Sequence, residues 1–195
     1  MSNSDNHSSR MKRIFLLSRQ NVGKKALPAL LAGLSDSIGQ QMHRRDLEDL
    51  EMTDHLRSEL EQSHQGAVAR SVDSFRRIFP AEESPTVFGF LSCLGHQLGA
   101  EQGYYLCKQS EYCGAARVDL ERSLLRSEQL LGFDGDSLAL LSLDEQNGLC
   151  LDFRADDPVE QYALTVWGQR FLGVVNGCLK ALSLDVGPSR TRMLS

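Results

Sequence analysis

The sequence predicts an α+β fold: a helical N-terminal region followed by an antiparallel sheet, a meander of three or more strands, packed by helices. Two patterns carry that reading. Apolar residues recur at helical spacing through most of the first two thirds of the chain, and between Ser137 and Trp167 the period drops to two, with turn-forming residues between the alternating runs. A third observation is compositional: 195 residues with 41% apolar and 24% charged side chains supply enough apolar surface for an ordinary core.

Taken in order, residues 1–10 (MSNSDNHSSR) are polar and read as a disordered tail. A helical region, residues 11–80, follows. After the short apolar piece Ile14 to Leu17, the residues Leu27, Leu30, Leu31, Leu34 and Ile38 share one helix face, with Pro28 placed in a first turn. The segment RRDLEDLEMTDHLRSELEQ is a charged helix whose thin stripe is Leu47, Leu50, Leu56 and Leu60. Val68, Val72, Phe75 and Phe79 suggest a further helix stopped by Pro80, and AEESP reads as a linker.

An α+β domain is expected over residues 86–182. Val87, Phe90, Leu91, Leu94 and Leu98 make a broad helical stripe ended by Gly99 or Gly103. YYLCKQ has strand character, and Leu120, Leu124, Leu125 and Leu131 mark another helix. SLALLSL and GLCLDFR form a hairpin around DEQNG, where the Asn147-Gly148 pair accepts positive φ. ADDPVEQ turns the chain into YALTVW, with Tyr162, Leu164 and Val166 on one side. A last helix, about Gln169 to Leu182, turns Phe171, Val174, Val175, Cys178 and Leu182 inward, and 183–195 is a C-terminal tail. This element order over 86–182 resembles that of the roadblock and profilin-type modules, which implies a platform for dimerisation, and it is equally similar to GAF-like and secretion-chaperone-like folds, so no family follows from it.

Charge and cysteine usage bound the function. Lys and Arg number 21 against 26 Asp and Glu, a net −5, which argues against a nucleic-acid binder. The local exception is Arg10, Lys12, Arg13, Arg19, Lys24 and Lys25, a stretch without an acidic residue: a solvated basic arm, or a contact for a phosphate, an anionic lipid or an acidic partner. Five cysteines without a short-scaffold spacing, and no export signal, predict reduced thiols and a cytoplasmic protein. No apolar run approaches the length of a membrane span.

Several motifs invite chemistry. IFLLSRQNVGKKALPALL resembles the phosphate-binding loop of small GTP-binding proteins, a strand leading through Gly23 and Lys24 into a helix. Ser18 stands where the first glycine belongs, Lys25 where the magnesium-holding hydroxyl belongs, and no NKxD follows, so no nucleotide cofactor is expected. Cys93, His96, Cys107 and Cys113 are candidate zinc ligands, since thiolates and imidazole suit a tetrahedral site. Lys108 beside Cys107, and Arg117 near Cys113, would favour thiolates. Glu51, His55 and Glu59 share a helix face, and Asp134, Asp136, Asp144, Asp152, Asp156 and Asp157 crowd the meander, where turn chemistry accounts for them.

No catalytic grammar emerges. The expected function is therefore a non-enzymatic protein-interaction or regulatory module that self-associates as a homo-oligomer or binds another protein, without nucleic acid or membrane insertion. Leu47, Leu50, Leu56 and Leu60 form a seam too thin for a private core and are the expected partner-binding residues. The alternative is a small-ligand sensor with a pocket between sheet and helices lined by Phe90, Tyr104, Tyr105 and Trp167. A zinc protein is the third reading.

Overall fold

The computed structural model describes residues 3–69 and 73–184, with residues 3–9 and 12 described by backbone alone. Seven helices and six strands are found there: α1 (Asn3–Ile38), α2 (Leu50–Val68), β1 (Ser74–Pro80), α3 (Ser84–Leu98), β2 (Gln102–Leu106), α4 (Ser110–Cys113), β3 (Ala116–Asp119), α5 (Leu120–Leu125), α6 (Ser127–Asp134), β4 (Ser137–Ser142), β5 (Gly148–Arg154), β6 (Gln161–Trp167) and α7 (Gln169–Ala181). The strands form one fully antiparallel sheet in the order β1-β6-β5-β4-β2-β3. The α+β expectation is met, and the meander β4-β5-β6 forms its centre.

Period-two alternation in β5 and β6 sends side chains to two faces, and both are covered. Leu149, Leu151, Leu164 and Val166 join a front-face core with Val87, Phe90, Leu91 and Leu94 of α3, Leu120 and Leu124 of α5, and Phe171, Val175 and Cys178 of α7. Leu30, Leu34 and Ile38 of α1 belong to that same core, so the helical region and the C-terminal α+β unit share one interior. On the back, Cys150, Trp167, Tyr104, Leu106 and Leu141 pack beneath Leu56 and Ala67 of α2. The result is three layers, with α2 alone on one side.

Four local expectations are corrected. Phe75 and Phe79 lie on a strand, since a spacing of four satisfies both a helix face and alternation; pairing with Val166 and Tyr162 across the β1–β6 register decides it. Val72 lies outside the described residues, as does the C-terminal tail from residue 185. Residues 3–38 form one helix, through the expected tail, the apolar piece and the strand-loop of the phosphate-loop resemblance, with Pro28 in the helix interior. The helix expected over Leu120–Leu131 is broken at Arg126, where φ −115° and ψ 28° leave the α region. In the β4–β5 turn the positive φ falls on Glu145, at 61°, and not on Gly148. Gly148 is needed for another reason: a Cβ there would meet the Trp167 ring at 2.5 Å.

The expected strand YYLCKQ appears as β2, and the short edge strand β3 pairs with it. An isolated bridge, Leu47 to Ala116, ties the approach to α2 onto β3. No described helix is long and apolar enough to cross a membrane.

Candidate docking surface

The residue sets singled out in sequence do not converge. Phe90 and Tyr105 sit in the front core, whereas Tyr104 and Trp167 lie behind the sheet, so the four cannot line one pocket. All four are buried. The Tyr105 hydroxyl donates to the Leu130 carbonyl at 3.1 Å, and burial pushes its pKa up.

The candidate zinc ligands are dispersed as well. Cys107 and Cys113 are buried in the front core, and their thiols are pushed above the ordinary range by burial, the reverse of the expected activation. Lys108 turns to Asp136 at 2.8 Å and Arg117 to Glu48 at 2.5 Å. His96 pairs with Glu121 at 3.1 Å, and Cys93 neighbours Cys178 of α7, whose thiol is raised by burial and by that contact. Among the described residues, no three His, Cys, Asp or Glu side chains gather to hold a metal ion. His55 of the Glu51-His55-Glu59 face bonds Glu145 in the β4–β5 turn at 2.8 Å. Asp134 accepts from the Lys108 N–H and the Ser137 hydroxyl, and Asp144 from the Ser142 hydroxyl, as turn chemistry requires.

The seam expected to meet a partner is largely used within the chain. Leu56 is fully buried, Leu47 is 6% exposed, and Leu60 packs on the back-face cluster. Only Leu50 stands at an opening, a cleft of about 380 Å³ between the start of α2, Lys24 and Leu27 of α1, and Tyr112 of α4.

The unpartnered apolar surface lies elsewhere, on the first half of α1. Met11, Ile14, Phe15, Leu16, Leu17 and Val22 are each between 41% and 61% exposed, and among the described side chains neither core cluster includes one before Ala26. The arm joins the body at Arg19, which is 7% exposed despite its charge. Its guanidinium donates two hydrogen bonds to the Asp54 carboxylate, both at 2.7 Å, and two to the Glu111 carbonyl at 2.9 and 2.6 Å. Those bonds hold the Asp54 carboxyl below the usual range and raise Arg19. Four residues on, Gly23 crosses α4 so closely that a Cβ would lie 2.0 Å from the Tyr112 carbonyl oxygen. N-terminal to Arg19, sixteen helical residues from Asn3 extend about 24 Å.

Compared with family models, curated proteins and solved structures, the chain matches none.

The exposed arm was legible in part. The sequence displays its cations, but IFLL reads there as a strand. The deciding signal was the absence of Gly and Pro from Met11 to Val22, in a stretch of good helix formers with Met11, Ile14, Phe15 and Val22 near one face.

Proposed function

We propose that this chain is a non-enzymatic protein-interaction module that self-associates, and that its docking element is the first half of α1. One observation carries the reading: six large apolar side chains stand exposed together on a stretch of helix that leaves the body, while the other exposed large apolar residues, Val68, Ile78, Leu125, Leu143, Val159 and Leu182, are scattered singly over the described residues. Contiguous exposed apolar surface on a soluble domain marks an interaction site. A lone helix of this length is marginal in water, so burial against another chain would supply what tertiary packing supplies to α3 or α7.

The test is light scattering on size-exclusion eluate of the chain and of its Ile14→Glu/Leu17→Glu variant. The native chain is expected above monomer mass, the variant at monomer mass with thermal midpoint unchanged. A native chain that stays monomeric throughout a millimolar titration overturns the reading.

A further inference from the structure

The arm carries a second signal besides its apolar residues. From Arg10 to Ser35 the chain has six cations and no carboxylate, which leaves 15 cations against 26 carboxylates on the remainder. Only Arg19 among the arm's described side chains has an ion-pair partner. Arg10 and Arg13, three apart on one helix, repel each other and destabilise it when alone. An anionic counter-surface would relieve that repulsion. The body offers one beside the arm's base: Glu51, Asp54 and Glu61 are exposed on α2, and Asp54 already accepts the Arg19 guanidinium.

We propose that the occupant of the arm is the arm of a second copy, laid antiparallel, so that Ile14 and Phe15 of the two chains pack at the dyad while Arg10 and Arg13 of each reach the α2 carboxylates of the other. The inference rests on the self-association reading above. An isologous pair closes on itself and buries both apolar faces at once. Parallel arms would place like cations side by side. An anionic membrane would attract the arms but repel the acidic body. Antiparallel pairing matches apolar with apolar and sets Arg10 opposite the Arg19–Asp54 pair of the second copy, where the cation is already neutralised and the exposed α2 carboxylates lie on the same helix.

The experiment is sedimentation velocity on four forms of the full chain: native, Arg10→Glu/Arg13→Glu, Glu51→Lys/Glu61→Lys, and all four changes together. Native dimerisation is expected to weaken about tenfold or more between about 50 and about 500 mM sodium chloride. Each charge reversal should weaken it by a similar factor at low salt, and the combined form should recover to within about threefold of native. The salt titration needs no variant, so misfolding of one form leaves the test intact. A dimer that salt strengthens, or that the combined form does not restore, overturns this inference and leaves self-association standing. A monomer in every form overturns both. Sedimentation of the native chain with anionic phosphatidylserine vesicles, in preference to itself, overturns the inference in favour of a lipid surface.

Discussion

Asp152 shows how a single half-buried charge sets a pH dependence. It points from β5 to the back of the sheet beside Cys150, and burial raises its pKa, partly offset by His64 and Arg154. A carboxyl raised in the fold gives stability that is present below its unfolded pKa and is lost as pH rises through the folded value. Asp152→Asn is accordingly expected to stabilise the protein at pH 7 by under about 1 kcal/mol, a rise of about 2 °C in thermal midpoint, with the gain vanishing in acid. Midpoints measured across the carboxylate range check the sign, and a variant that gains stability only in acid contradicts it. Gly114 acts through its backbone. Its φ of 107° belongs to glycine, and a Cβ there would stand 2.1 Å from the Glu48 carbonyl oxygen. Gly114→Ala should therefore cost more than about 2 kcal/mol by urea denaturation, because strain and clash act together.

The two long N-terminal helices divide their roles. α2 opens with the Asp49 carboxylate accepting from the Met52 N–H at 2.8 Å and lays Leu56 on the back of the sheet. Its thin stripe suffices because α2 covers small or already packed residues such as Ala139 and Cys150. Leu56→Ala is expected to cost about 2–5 kcal/mol, as for a buried leucine whose cavity cannot collapse. The first half of α1 behaves oppositely. Ile14→Ala should move the unfolding free energy of the monomer by less than about 0.5 kcal/mol, since Ile14 is half exposed and belongs to neither core cluster. Equal costs at the two positions, measured by denaturant titration, would mean that the arm folds back onto the body.

At the scale of the molecule, charge and apolar surface are segregated along the chain. The acidic, closed body holds the second half of α1 and everything described from α2 through α7, and the basic, open arm leaves it at the Arg19–Asp54 pair. Removal of residues 1–18 should leave the thermal midpoint of the body within about 2 °C of native, because none of the described side chains removed belongs to the core, while abolishing self-association. Calorimetry and light scattering on the truncated chain read the two effects separately, and an unfolded truncated chain refutes the division.

Period and turn chemistry made much of the fold legible: α3 with its five buried apolar positions, the β4-β5-β6 meander, α7, and the α+β class itself. Such elements declare themselves because each carries its own apolar face or breaker. Strand β1 did not, because Phe75 and Phe79 fit either period and only pairing with β6 chooses between them. The seam Leu47–Leu60 looked like a partner surface because its stripe is thin, and only the back of the sheet, assembled from β2, β4, β5 and β6, shows what covers Leu56. The same holds for the candidate ligand set, whose members the sheet places on opposite faces, and for the candidate metal set, whose cysteines join the front core without gathering round one point while His96 turns to Glu121. A side chain's face follows from local geometry, and its neighbours follow from which strands meet across long stretches of chain. Local sequence therefore determined the elements that carry their own period or breaker and the charge of the arm, and tertiary pairing decided strand β1, which thin stripe is covered and which apolar stretch remains exposed.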